Sequence, residues 1–323
     1  SIINNCVRNI LERSITKLLF KYIIYFIKNA WFVFLYKAFH KIKSCERFCG
    51  KKNITLEYSD NILYEKIMSN QPFMAVRYGA VELSCINNGE KINLKLKKSF
   101  KNSVKYSMKN NAGFFPCEDR YLNQYNELMD MVMKDTDILG ISGIHMEDYF
   151  YKKQCKNATT IQYFAFEPIN KKWLKALNNK KVLIVTPFKE DVLKQLKNKK
   201  YLNDLKEINA TFVVLEAIQS IGNNKTSFHN WFDALEYMKE EISKLDFDIA
   251  LIGAGAYGTP LCQFVKSLGK QAIQTGGATP LLFGIVGNRW LSRDYIKKQI
   301  NEHWIRPSVK PDGYENVEKG CYW

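Results

Sequence analysis

Residues 248–285 constrain this chain more than any other stretch, and they read DIALIGAGAYGTPLCQFVKSLGKQAIQTGGATPLLFGI. The apolar run 249–252 is long enough for one buried strand. Gly253-Ala254-Gly255-Ala256-Tyr257-Gly258 follows at once. Residues 259–268 then carry apolar side chains at helical spacing, Gly269 stops the helix, and 271–274 is a second strand. Strand, helix and strand in that order make a β-α-β unit with a glycine-rich first turn. In such a turn Gly253 permits the tight bend, Gly255 lets a ligand approach the backbone, and Gly258 lets the helix pack on the strand. Free N–H groups at the start of the helix favour an anion, typically phosphate.

A dinucleotide site needs one more element, an acidic residue roughly 20 positions on that holds the ribose hydroxyls. Here that region is Ala272-Ile273-Gln274-Thr275, without a carboxylate. The motif also sits late, with too little chain after it for the usual nucleotide-binding half. The expectation is therefore no NAD and no FAD. Two readings stay open for the turn: a phosphate-bearing ligand of another kind, or a purely structural bend.

Upstream, strand and helix patterns alternate. Apolar runs at 73–76, 136–141, 160–166, 182–185 and 211–215 read as strands. Helical periodicity marks 60–69, 82–86, 118–134, 146–154, 171–177, 192–199 and 231–245, and Phe100, Val104 and Met108 share a helical face. Alternation of this kind requires crossover connections. It predicts an α/β fold: a Rossmann-like, mostly parallel sheet with helices on both faces. Two units are expected, a helical segment at 1–54 and the Rossmann-like domain at 55–323.

The net charge of +16 is concentrated rather than spread. Residues 1–52 hold eight Lys, three Arg and two Glu, and residues 91–109 hold seven Lys and no acid. Two basic patches on an otherwise neutral body suggest an anionic surface or ligand at those places. The first patch lies on a helical pattern at 5–43 without Pro or Gly, in which Arg13, Lys17, Lys21 and Lys28 fall toward one side and Tyr22, Ile23, Phe26, Trp31 and Phe34 supply apolar surface. Lys28-Asn29 interrupts the apolar run, so the pattern falls short of the roughly 20 residues of a spanning helix. A basic amphipathic helix on an anionic membrane surface is one reading, and a helix packed on its own domain or on another subunit is the other. The expected location is cytoplasmic, peripheral on the inner face of the membrane. The lysine stretch 91–109 reads as a solvated face, and its sparse aromatics argue against nucleic acid. The eight Cys show no metal spacing; Cys45 and Cys49 have no second pair nearby, and Cys85 and Cys262 sit in apolar runs as core residues.

One further turn carries chemistry. Arg77-Tyr78-Gly79-Ala80-Val81-Glu82 follows the first strand directly, at the strand's carboxyl end, where open α/β sheets bind ligands. Arg77 suits a phosphate and Glu82 suits a base or a divalent ion; an Arg–Glu ion pair bracing the turn is the structural alternative. This segment resembles the Arg-x-Gly-x-x-Glu turn of bacterial GT-D-type glycosyltransferases. Residues 253–258, together with Gly276-Gly277-Ala278-Thr279 and the run from Leu281 to Arg289-Trp290, resemble the C-terminal half of relatives from surface-polysaccharide gene clusters. The likeness covers roughly 70–323 and leaves the N-terminal helix outside.

The resemblance implies transfer of a sugar from a nucleotide-sugar donor to a glycan or lipid-linked acceptor in surface-polysaccharide biosynthesis. It implies that Glu82 and Arg77 are the catalytic pair. It implies donor binding by Arg77, Gly79, Gly253, Ala254, Gly255, Tyr257, Gly258, Gly276, Gly277 and Arg289. Characterised GT-D members use Asp-x-Glu to hold a divalent metal, Mn2+ or Mg2+; here the pair is Ala80 and Glu82, so Glu82 alone remains as a ligand. His145, Glu147 and Asp148, just past a strand end, either provide a base for the acceptor or form a solvated helix start. Trp304 and Trp323 are expected to pack the tail onto the domain. A non-catalytic membrane-associated partner of an assembly complex and an NAD(P)-dependent oxidoreductase are the alternative functions.

Overall fold

The computed structural model describes residues 2–39, 54–198, 208–222, 225–317 and 319–323, the side chains of 2–13 and 36 excepted. Residues 40–43, Cys45, Cys49 and Lys199 lie outside the described residues. All seven expected strands form: β1 (Phe73–Arg77), β2 (Ile138–Ile141), β3 (Thr159–Gln162), β4 (Lys181–Thr186), β5 (Thr211–Glu216), β6 (Ile249–Ile252) and β7 (Gln271–Ile273). They make one sheet in the order β3-β2-β1-β7-β6-β4-β5, parallel at every pairing.

The helices are α1 (Ile2–Phe39), α2 (Leu56–Met68), α3 (Ala80–Asn93), α4 (Asn102–Ala112), α5 (Asp119–Val132), α6 (Glu147–Gln154), α7 (Lys189–Asn198), α8 (Trp231–Ser243), α9 (Gly258–Ser267) and α10 (Asp294–Lys297). Successive strand residues face opposite sides, so one sheet supplies two cores. Met74, Val76, Leu139, Leu183, Val185 and Ala250 pack under α3, α4, α5, α6, α8 and α9. Phe73, Ala75, Ile138, Val182, Ile184 and Leu251 pack under α2 and α7 and two 3-10 segments, Lys172–Leu177 and Gly276–Phe283. Burial on both faces explains why these strands read as unbroken apolar runs.

Three expectations shift. The run 160–166 is strand only to Gln162, and Tyr163–Phe166 is a 3-10 turn. Phe166 folds back beneath β2, where Gly140 leaves room that a Cβ would fill. The helix expected at 171–177 is a 3-10 segment, Lys172–Leu177, begun by the Asp60 carboxylate, which accepts from the backbone N–H of Lys172 (2.7 Å) and Trp173 (2.9 Å). Helix α3 starts at Ala80, two residues before Glu82, and runs past residue 86 to Asn93. Its Asn87-Asn88-Gly89 is a weak helical sequence that holds because it is buried: Gly89 lies against Asn126, and the Asn88 side chain accepts from the Lys101 N–H.

Helix α1 corrects the amphipathic expectation. Leu18, Phe20, Ile23, Ile24, Ile27, Trp31 and Phe34 are exposed on several sides of it, while Tyr22 and Asn29 are buried. By length and composition 14–39 suffices to cross a membrane. The two residues that interrupt its apolar run are the ones that dock it. The Asn29 amide donates to Asp148 Oδ1 (2.9 Å), Lys28 Nζ donates to Asp148 Oδ2 (2.9 Å), and Met146 N–H donates to Asn29 Oδ1 (2.8 Å). The Tyr22 hydroxyl adds a bond to Asn87 (2.7 Å). Docking thus joins these polar bonds to a narrow aromatic contact, in which Tyr22 and Tyr25 meet the Tyr149 ring (centroids 5.2 and 5.7 Å apart), while many of the helix's apolar side chains point outward. Removing the shared acceptor leaves the Asn29 amide nitrogen, which is buried, with its bond to Tyr25 O (2.8 Å) but without its second acceptor, at a cost of about 1–3 kcal/mol. Asp148→Ala is expected to lower the melting temperature by a few degrees and to speed protease cleavage within 14–39; unchanged cleavage would show that α1 is held by other means.

Candidate active-site cleft

The carboxyl ends of β1, β4, β5, β6 and β7 surround one cleft of about 230 Å³. Strands β4 and β6 are neighbours, yet the helix after β4 lies on one face of the sheet and the helix after β6 on the other. The chain parts at such a point and leaves a crevice.

The glycine-rich turn forms its floor, with roles partly exchanged from those expected. Gly255 has φ +53, a left-handed conformation, and a Cβ there would sit 3.2 Å from the Ala112 carbonyl oxygen at the end of α4. So Gly255 makes the bend and the chain's own backbone makes the close approach. Gly253 is pressed against Thr279 and the Gly276 carbonyl. Gly258 behaves as expected: a Cβ would meet the Gln274 side chain at 2.8 Å, where α9 meets β7. Gly258 is not among the residues that border the cleft, whereas Gly253, Ala254, Gly255 and Tyr257 are. Tyr257 is stacked on Trp231 (centroids 4.7 Å apart, planes within 7°), and burial pushes its phenol above the ordinary range.

The Arg77–Glu82 turn forms the facing wall. Arg77 ends β1, and its backbone N–H donates to Gln274 Oε1 (3.1 Å); the Thr259 hydroxyl donates to the same oxygen (3.1 Å). The half-buried guanidinium lies 5.9 Å from the Tyr163 ring centroid and crosses Gly276, which has φ +58 and where a Cβ would come 3.1 Å from Arg77 Nη2. Gly79 caps α3, and a side chain there would collide with the Glu82 carboxylate folded back over it. A carboxylate in the first helical turn is favourable beside the positive helix end. Arg289 comes from the C-terminal segment: Nη1 donates to the Tyr322 hydroxyl (2.5 Å), and the guanidinium lies 4.9 Å from the Tyr322 ring centroid and 5.5 Å from that of Trp290. Gly277 lies under the Tyr322 ring. Trp323 is buried and its indole donates to Val309 O (2.8 Å), so it packs the tail as expected and also borders the cleft; Trp304 is half-buried between two cores.

Of the residues expected at the site, Arg77, Gly79, Glu82, Gly253, Ala254, Gly255, Tyr257, Gly276, Gly277 and Arg289 all border this cleft. Residues 111–113 and 217–221 border it too and were not expected. The second group follows from the parallel sheet, since it leaves β5's carboxyl end. The first group has no such signal, because the end of α4 arrives only by tertiary packing. Asn111 Oδ1 there is buried and without a hydrogen-bond partner.

Glu82 is the one carboxylate of its turn, Ala80 is exposed, and among the described residues no group of three or more His, Cys, Asp and Glu gathers at one point. A magnesium or manganese ion at Glu82 would need the ligand's own phosphates and water for its remaining bonds.

Of the expected solvated helix start, His145 is exposed, whereas Glu147 and Asp148 are buried. Glu147 accepts backbone N–H bonds from Ser142 (3.1 Å), Gly143 (2.6 Å) and Ile144 (3.2 Å), and Asp148 is taken up by α1. Glu147 therefore shapes the loop after β2.

A parallel α/β sheet whose carboxyl edge carries a glycine turn, helix N-termini and two arginines defines a Rossmann-like protein with a cleft at that edge. The chain belongs to the GT-D-like family: the family's GT-D fold-like domain matches residues 60–282. A solved structure of domain of unknown function 1792, described as having a distinct glycosyltransferase fold, is 14% identical with a TM-score of 0.43, over 78% of this chain and 99% of that one. A selenomethionine-substituted structure of domain of unknown function 1792 is 12% identical with a TM-score of 0.36, over 77% of this chain and 99% of that one. No curated protein matches the chain significantly.

Burial raises the Glu147 carboxyl from an ordinary 4.5 to about 7, against the pull of its three N–H bonds. The folded chain then holds a proton between those values that the unfolded chain has released, so stability falls as pH rises from about 4.5 to about 7 and levels off above. Melting temperatures recorded across that window are expected to show this slope, and Glu147→Gln to flatten it; an unaltered slope would assign it to other groups.

Proposed function

We propose that the protein transfers a sugar from a nucleotide-sugar donor to a glycan or lipid-linked acceptor, in the assembly of a surface polysaccharide. The observation that carries this reading is the meeting of Arg77, the 253–255 turn and Arg289 around one cleft in a chain of the GT-D-like family. The donor's diphosphate lies over the glycine turn, within reach of both guanidiniums. As the bond to the sugar breaks, negative charge grows on the diphosphate, and fixed positive groups stabilise it without reorganising. The Arg77 guanidinium lies between the Tyr163 ring and Gly276, and the Arg289 guanidinium donates to the Tyr322 hydroxyl, which places both at the cleft. A divalent ion held between Glu82 and the phosphates would supply further positive charge. Position 274, where a dinucleotide site places an acid, holds a glutamine whose oxygen is already engaged by Arg77 and Thr259, which favours a nucleotide-sugar over NAD.

Helix α1 supports placing the enzyme at the anionic inner face of a membrane. Its outward apolar residues lie beside the lysine stretch, with Lys91 Nζ 5.5 Å from the Phe26 ring centroid. Apolar insertion and cationic attraction reinforce one another at such a surface.

Thermal shifts against UDP, GDP, CMP, dTDP and NAD, each with and without manganese, test the donor site. A ligand at about 100 times its dissociation constant adds roughly 2.7 kcal/mol, a shift of a few degrees. One nucleotide is expected to stabilise the protein, and Arg77→Ala to abolish that shift while keeping the circular dichroism spectrum. A shift with NAD alone would point to an oxidoreductase, and no shift with any would favour a non-catalytic partner, to which the loss of the Asp at position 80 already lends support. For the membrane, vesicles containing anionic lipid are expected to retain the full chain at low salt and release it on deletion of 2–39; equal retention of both forms would sink that assignment.

A further inference from the structure

Arg77 and Arg289 border two clefts. Behind the wall they form lies a second cavity of about 240 Å³, bounded by the loop after β2, the turn after β3 and the segment around Trp290. Its chemistry differs from that of the first. Tyr163, Phe166 and Trp290 give it aromatic walls. Glu167 is buried at its edge, where Arg293 and the Tyr295 hydroxyl each bind one carboxylate oxygen. Arg293 in turn lies 4.7 Å from the Trp290 ring centroid. The Ser142 hydroxyl is buried on the other side without a hydrogen-bond partner.

We propose that this second cleft is a sugar-binding site and, on the transferase reading above, the acceptor subsite, with Glu167 holding an acceptor hydroxyl. The two clefts differ in what lines them beyond their shared wall. The glycine turn and its helix start serve the first, whereas in the second the Arg293 charge is met by the Glu167 carboxylate, and the positive charge left over is that of Arg77 and Arg289 in the wall common to both. A neutral ligand with hydroxyls on its rim and C–H groups on its faces suits aromatic walls and a fixed carboxylate, whose oxygens have lone pairs beyond those used by Arg293 and Tyr295. The shared wall answers the geometric need of transfer, since an acceptor oxygen must reach the donor's reacting carbon, and ligands in the two clefts meet at Arg77. The placement of α1 bears on how the acceptor arrives. Asn29 binds the backbone of Met146, two residues past Ile144 of the cleft wall, so the helix that we assign to the membrane is fastened to the loop that walls this cavity.

The test uses the full chain, with methyl and octyl glycosides of glucose, galactose and N-acetylglucosamine as probes in saturation-transfer NMR, and nucleoside diphosphate binding measured in parallel. Two variants alter only the second cleft: Glu167→Gln removes the charged acceptor, and Ser142→Phe fills the cavity without touching the Glu167–Arg293 pair. Glycoside binding is expected to weaken about tenfold or more in each, the scale of one hydrogen bond to a charged group, while diphosphate binding stays unchanged. Stronger binding of the octyl than the methyl forms would support a lipid-borne acceptor, and equal binding a free glycan. Glycoside binding untouched by both variants, or no glycoside binding to the unmodified chain, would overturn the subsite and leave the transferase standing. Joint loss of glycoside and diphosphate would also overturn it, by making the two clefts one. Glycoside binding lost in the variants, in a chain that binds no diphosphate at all, would keep the sugar site and remove the transferase.

Discussion

One side-chain amide holds the two turns of the site in register. Gln274 leaves the end of β7, and its oxygen accepts from the backbone of Arg77 and from Thr259 at the start of α9. Its own N–H donates to Ala75 O (2.9 Å). Through this residue the end of β1, the end of β7 and the first turn of α9 share one largely buried acceptor at the edge of the cleft. Gly258 is bare because this amide occupies the space a side chain would need. The glycine turn and the Arg77 turn are distant in sequence, and the cleft exists only where they face each other.

The close fit extends outward in the same manner. Gly276 yields room to the Arg77 guanidinium, Gly277 and Gly287 to the Tyr322 segment, and Gly255 to the end of α4. The site's glycines thus serve contacts within the chain. Binding capacity then falls to what those contacts leave exposed: two guanidiniums, the helix starts and one carboxylate. The two arginines are held by aromatic rings and, for Arg289, by the Tyr322 hydroxyl.

The seven strands and their parallel pairing were legible because both faces of the sheet are buried, which leaves each strand as an apolar run between helical periods. The cleft was legible in the same measure, since glycines and arginines at strand ends mark the carboxyl edge. What stayed hidden depends on distant partners. Tyr163–Phe166 has strand composition but turns to fill the space over Gly140. Asn87-Asn88-Gly89 reads as a break and is helix because it is packed. Glu147 and Asp148 look like a charged helix start, and only the fold reveals that one holds a loop and the other holds α1. The lysines and apolar residues of α1 fit an amphipathic pattern by count, yet its outward surface is apolar on several sides.

The neighbour of β1 on the inner side of the sheet is β7, paired at Ala75 and Ile273. During synthesis β1 emerges early and must wait for almost the whole domain before that partner exists. Until then the middle of the future sheet is an open edge of Phe73, Met74, Ala75 and Val76, with unpaired backbone groups and apolar faces, the kind of template that recruits other strands. The last seam to close is the central one, so chain order makes folding of this domain slow, non-local and dependent on protection of a nascent edge.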